Sequence, residues 1–163
     1  MIQRVRQGTR ALLAFAQYVD YDLAARYLSA EQLALFRQMR RGEQLHSLNV
    51  LRTIIEQQRS VPEDLTLAAL LHDVGKTQRP LAVWEKSLAI IIRSVNYDLF
   101  LRWRRVSQVM TQHAQWGAEL VAEAGASERA VWLVAHHDDA LEKWQDHPYY
   151  ELLQRLQMAD ELN

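Results

Sequence analysis

The chain has 163 residues, one domain's worth and enough to bury about two-thirds of its extended surface in a single core. Its 49% hydrophobic and 24% charged residues are an ordinary globular balance, while 5 Gly and 3 Pro are too few for a turn-rich sandwich or barrel. The absence of Cys excludes disulfide scaffolds and thiolate sites, so any metal site must use His and carboxylate, and a net charge of −1 offers no basic field for nucleic acid.

Helix formers dominate the composition, and the chain reads as helices throughout. Residues 2–18 are predicted as the first. Arg4, Arg6 and Arg10 precede the apolar run 11–16, which is shorter than the roughly 7–15 residues of a secretory leader and reads better as a helix face. Ser29 opens a capping box with Gln32, and Arg40-Arg41-Gly42 is expected to end that helix. Residues 43–59 carry Leu45, Leu48, Leu51, Ile54 and Ile55 at three-and-four spacing, an amphipathic helix. Pro62 suits the first turn of the next one, which runs through Leu65–Leu71, is apolar nearly all round, and should be the central buried helix. Gly75 is expected as its stop. Helices follow over 81–94, 97–112 and 113–124, the last closed by Gly125. Ser127 caps one reaching about 137, and Pro148 starts one reaching about 162. No apolar run approaches the roughly 18 residues that would span a membrane.

Charge is uneven along this order. Lys76 to Arg105 holds seven basic residues against Glu85 and Asp98, and Glu128 to the end holds eight acidic against three basic. Two solvated faces are the first reading; an anion-attracting segment beside a cation-binding one is the second. Within the basic stretch, residues 80–107 mix apolar residues (Trp84, Leu88 to Ile92, Leu99 to Leu101, Trp103) with Arg93, Arg102, Arg104 and Arg105. Core packing ranks first for this segment. A lid offering Arg to phosphate ranks second, and peripheral contact with a membrane or partner third.

The chemistry concentrates in histidines and aspartates. His46 lies inside the amphipathic helix, and His72-Asp73 closes the buried one. His113 opens the helix at 113, His136-His137 end the next one, and Asp160 lies in the last. Apolar residues flank most of them: Leu45, Leu70-Leu71, Val134-Ala135 and Met158-Ala159. Taken singly, each is an ordinary core histidine or a weak pair. Together, ionised carboxylates and several imidazoles set into a core require a cation. Imidazole with carboxylate suits Fe, Mn, Zn or Co better than Mg.

These stretches resemble the HD superfamily of metal-dependent phosphohydrolases over residues 43–163. The resemblance rests on Leu45-His46-Ser47-Leu48, Ala69-Leu-Leu-His72-Asp73-Val-Gly-Lys76, Gln112-His113-Ala-Gln-Trp-Gly117-Ala-Glu-Leu, His136-His137-Asp138 and Met158-Ala159-Asp160. The third and fourth are similar to the HD-GYP phosphodiesterase branch. Here, however, Asp138 replaces that branch's Glu and the Gly-Tyr-Pro loop is missing, which counts against cyclic di-GMP as substrate. Residues 1–42 match nothing in the family and are expected as an N-terminal helical extension on the 43–163 domain.

The resemblance implies an all-α, single-domain bundle holding one or two divalent ions. His46, His72, Asp73 and Asp160 would hold one ion, and Asp73 would bridge to a second held by His113, His136 and His137. Two ions flanking a phosphoryl group suit phosphomonoester or phosphodiester hydrolysis. Asp73 and Lys76 are the catalytic candidates, Lys76 as a point charge on a phosphate oxygen or leaving group. The expected substrate is a phosphorylated small molecule such as a nucleotide, with a cytoplasmic setting and no nucleic-acid partner. Two other functions fit the same fold: a non-catalytic sensory or scaffold module, and a di-iron oxygenase with a nearly identical ligand set. His147, before Pro148, reads as a cap and stays outside the site.

Overall fold

The computed structural model describes residues 18–57, 60–79 and 83–163. The helix expected over 2–18 lies outside them, except for Tyr18, which is not helical. The described residues are helical throughout and contain no strand, as the composition demanded.

Two short helices, α1 (Tyr21–Ala25) and α2 (Ala30–Gln38), lead into α3 (Arg41–Gln57). The capping box forms: Ser29 Oγ accepts from Gln32 N–H, and Gln32 Oε1 accepts from Ser29 N–H at 3.0 Å. The break after α2 falls earlier than Arg40-Arg41-Gly42. Buried Met39 adopts an extended conformation, and Gln44 donates its side-chain amide to Phe36 O at 2.9 Å. That bond satisfies a helix-end carbonyl from the next helix, so Arg41 and Gly42 already belong to α3.

Helix α4 (Glu63–Leu71) begins just after Pro62, which sits at the N-cap position rather than in the first turn, and is the centre of the fold: every residue from Leu65 to Leu71 is buried. Its apolar surface packs against α2, α3, α8 (Glu128–His136) and α9 (Tyr150–Glu161). A helix apolar on all sides has to be surrounded in this way. It ends at Leu71, with His72 as C-cap, and a 3₁₀ turn Val74–Thr77 follows. Gly75 therefore does not stop the helix; it lies inside this turn, against the backbone of His113 and Gly117.

The expected helices over 97–112 and 113–124 divide elsewhere. Helix α5 (Val83–Val95) is followed by α6 (Tyr97–Arg102), capped by Asn96 Oδ1, and then by α7 (Arg104–Glu123). The break falls at Trp103, and His113 sits midway along a continuous 20-residue helix. No cap, Gly or Pro interrupts the chain at 112–113 to favour a boundary there. Gly125, at φ +75°, ends α7 in a Schellman motif, with Ala126 N–H to Val121 O and Gly125 N–H to Ala122 O, both at 3.0 Å. Ser127 caps α8 through Ala130 N–H. Helix α9 begins after Tyr149, two residues beyond Pro148.

Two apolar clusters result. The larger unites α1, α2, α3, α4, α8 and α9 with Ala118 and Val121 of α7, and the smaller joins Ala89 and Phe100 to Val106 and Val109 of α7. Residues 80–107 thus contribute core packing through Ala89 and Phe100, but only on one side.

Candidate metal centre

Five helices, α4 among them, and one turn bring polar side chains together at the end of buried α4. His46 comes from α3, His72 from the cap of α4, and Asp73 and Lys76 from the turn that follows. His113 comes from mid-α7, His137 from the cap of α8 and Asp160 from α9. These atoms form two groups. His46, His72 and Asp160 each place a ligand atom within 4.8 Å of the others, and so do Asp73, His113 and His137. In the first, His46 Nε2 lies 2.7 Å and His72 Nε2 3.6 Å from Asp160 Oδ1. In the second, His113 Nε2 and His137 Nε2 lie 3.6 and 3.7 Å from Asp73 Oδ1 and 3.3 Å from each other. The other carboxylate oxygen of Asp73 faces the first group, 3.8 Å from His72 Nε2.

The hydrogen bonds behind the rings decide what these groups can hold. The Nδ1 atoms of His72, His113 and His137 face the backbone oxygens of Ala69, Val109 and Val134 at 3.1, 2.9 and 2.8 Å. A carbonyl only accepts, so each Nδ1 must carry the proton, and each ring when neutral turns a bare Nε2 lone pair to the centre. Lone pairs then face lone pairs and carboxylate oxygens in a buried space. Only a proton or a cation between them relieves that arrangement. Burial holds the His72 ring neutral by lowering its pKa to about 4, against the pull of Asp73. Burial works against the Asp73 charge, but the Lys76 ammonium beside it favours the charge, and its carboxyl stays well below the usual range. Backbone-anchored imidazoles with Nε2 inward, together with carboxylates, fit a divalent transition ion.

Lys76 stands beside Asp73, its Nζ 2.5 Å from Oδ1. Burial would lower its pKa; the Asp73 charge prevails and raises it, so the ammonium is retained.

His136 goes elsewhere. Adjacent helical residues diverge by about 100°, and at the end of α8 only His137 turns inward. His136 donates from Nδ1 to Asp139 Oδ2 at 2.8 Å and packs on Trp132 and Trp144. The same Asp139 oxygen accepts from Trp144 Nε1, and its backbone oxygen accepts from Gln157. His147 stacks on Trp132 at 4.0 Å and accepts from Tyr149 N–H; it does not cap the last helix as expected, because Tyr149 holds the N-cap position without a side-chain cap bond. Together these contacts pin the loop after α8. That loop carries Asp138, which the sequence reading did not choose. Its carboxylate is 60% exposed and lies 3.7 Å from His113 Nε2, where it borders, among others, two cavities. One, of about 460 Å³, reaches His137 and Asp160 and is walled by Asp139, Glu142 and Glu161. The other, of about 220 Å³, lies between α5 and α7 and is lined by Lys76, Ile90, Arg93, Val109, Met110 and His113. The signal for Asp138 was its place directly after a metal-type His pair.

The sequence model of one family, the HD domain, matches residues 45–163, well over half of the chain. The chain belongs to the HD domain family. HD domain proteins are largely metal-dependent hydrolases, and the buried His/Asp cluster sits where the matched segment runs. Neither a search of curated proteins nor a search of solved structures returned a significant match. No described helix of this HD domain chain is long and apolar enough to cross a membrane.

Proposed function

We propose that this HD domain chain is a metal-dependent phosphoric ester hydrolase acting on a nucleotide or related small phosphate ester. The observation that carries the reading is the pair of His/carboxylate groups set on either side of one carboxylate, Asp73. In this reading His46, His72 and Asp160 hold one ion, His113 and His137 hold a second, and Asp73 serves both. The donor set favours Fe, Mn, Zn or Co over Mg. Ions bound there would polarise the phosphoryl oxygens and activate water near neutral pH.

The chain's own residues supply the rest. The carbonyls of Ala69, Val109 and Val134 fix the rings so that no reorientation is needed when substrate arrives. Lys76 and Arg93 make the α5–α7 cavity the positive approach, and the ester's phosphate enters there. Lys76 remains charged and meets a phosphate oxygen. The acidic wall of the larger cavity repels a second phosphate, so the remainder of the ester is oriented away from it. Asp138, at the rim, is placed to exchange a proton with solvent beside a bound ester.

The test is a panel of phosphomonoesters and phosphodiesters with the full chain in Mn²⁺ or Fe²⁺. Metal-dependent release of phosphate or phosphomonoester, lost in Asp73→Ala, supports the reading. A metal-loaded protein that cleaves no ester, or one that consumes oxygen instead, refutes it.

A further inference from the structure

Ten large apolar side chains are conspicuously exposed among the described residues, and seven of them fall between 88 and 101. Leu88, Ile90, Ile91 and Val95 come from α5, and Tyr97, Leu99 and Leu101 from α6. Val95 is 82% exposed. This hairpin already has its core, because Ala89 and Phe100 are fully buried against Val106 and Val109. Apart from Tyr97, whose ring packs on Phe100, the outer apolar residues lie outside that cluster, and soluble surfaces rarely leave so many adjacent.

Charge narrows what can cover them. Arg93 and Arg102 are exposed among these side chains, and Glu85 is buried, which leaves Asp98 as the exposed acid of the hairpin. The sequence over 83–105 holds five basic residues against two acidic. A second copy laid on this face would oppose one basic hairpin with another. Residues 1–17 carry Arg4, Arg6 and Arg10 and no acid, so they too are the wrong sign. An anionic partner is the complement. Protein interfaces usually separate an apolar centre from a charged rim; here Arg93 and Arg102 stand among the exposed apolar side chains themselves, as in helices that lie at the boundary of lipid headgroups and acyl chains.

We infer that the α5–α6 hairpin is a docking face for an anionic phospholipid surface. Ile90 and Arg93 belong both to this face and to the wall of the cavity that reaches Lys76 and His113, so docking would set the mouth of that cavity against the lipid. The inference does not depend on the proposed hydrolysis, and its readout is binding.

The test is co-sedimentation of the full chain with vesicles of phosphatidylcholine alone and of phosphatidylcholine with phosphatidylserine. The chain should sediment with the second and not the first, and added salt should release it. Removing one cation from an anionic surface weakens binding roughly fivefold, the effect expected of Arg102→Gln. Val95→Glu should weaken it at least about tenfold, since it replaces an inserted side chain with a repelled one. Val95 packs on little, so circular dichroism of this variant should match the wild type, and Ile91→Glu provides a second exposed site. The inference is overturned if the wild type ignores serine-containing vesicles, which leaves an acidic protein as partner. Undiminished binding by both Glu variants also overturns it. So does a wild-type dimer in sedimentation equilibrium that Val95→Glu dissolves, since a second copy would then be the occupant.

Discussion

Gly75→Ala tests whether the turn after α4 must touch the backbone of α7 for the two sides of the centre to meet. A Cβ built on Gly75 stands 1.9 Å from His113 O and 2.6 Å from Gly117 N. Ordinary contact begins at 3.4 Å, so the turn has to withdraw by roughly 1.5 Å. The obstacles are backbone atoms of a long helix and cannot rotate aside. Asp73 precedes Gly75 by two residues, and its Oδ1 lies 3.6 Å from His113 Nε2. The same withdrawal would take that pair to roughly 5 Å, whereas two ligands of one ion at about 2.1 Å each are at most about 4.2 Å apart. The expected cost to folding is about 3 kcal/mol, the upper end for overpacking. Replacing Gly lowers the entropy of the unfolded chain and offsets this by at most about 1 kcal/mol, so strain prevails. Urea unfolding of chelator-treated wild type and variant measures the fold alone, free of metal linkage; metal analysis of untreated protein measures the site. Gly117→Ala, whose nearest contacts are 3.2 Å, should cost about 1 kcal/mol and serves as the milder comparison. A Gly75→Ala protein within about 0.5 kcal/mol of wild type and with unchanged metal content would refute the reasoning.

Other outcomes follow from the same geometry. Asp64 lies at the start of α4 and accepts from Ser127 Oγ and from Arg129 Nε, the latter at 2.6 Å. Burial pushes its carboxyl up, but Ser127 and Arg129 outweigh this and hold it below the usual range. A depressed folded pKa stabilises above the unfolded value of about 3.9 and ceases to as pH falls through the folded one. Asp64→Asn should therefore cost about 1 kcal/mol at pH 7 and nothing at the acid end of a pH series of urea melts; a difference that persists in acid would contradict it. His136→Ala should lower stability by about 2 kcal/mol through the lost Asp139 bond and ring contacts while leaving metal content unchanged. Loss of an ion in that variant would make His136 a ligand. Lys76→Gln should fill with metal normally yet hydrolyse its ester about a hundredfold more slowly; an unchanged rate would confine Lys76 to its pairing with Asp73.

Local signals in the sequence carried much of the fold. The capping box at Ser29, the cap at Ser127, the Gly125 terminus and the all-round apolar run Leu65–Leu71 each act within a few residues, and each appears in its expected place. What escaped depends on distant partners. Gln44 satisfies Phe36 O across a helix boundary and moves that boundary. Gly75 reads as a helix stop until α7 is seen against it. The continuity of α7 through His113 has no marker, because a missing cap looks the same at every interior position. At the centre, the residue types and their apolar neighbours were legible. Which of His136 and His137 faces inward was not, since that depends on the rotation of α8 against α4 and on Trp132, Trp144 and Asp139 taking the other ring. The outer side of residues 80–107 also reads as core by composition alone; only the fold shows that the core is filled from the other side.

Metal stoichiometry on the full chain tests the central claim most directly. Wild type, His46→Ala and His113→Ala would be compared by elemental analysis per chain. The two variants each remove one ring from a different group, and Asp73 alone faces both. The account predicts two ions in wild type and about one in each variant, with affinity at the altered site lowered at least the 10–100-fold seen when mere supporting residues are lost. A wild type holding no ion, or a His113→Ala protein that keeps both, would contradict it.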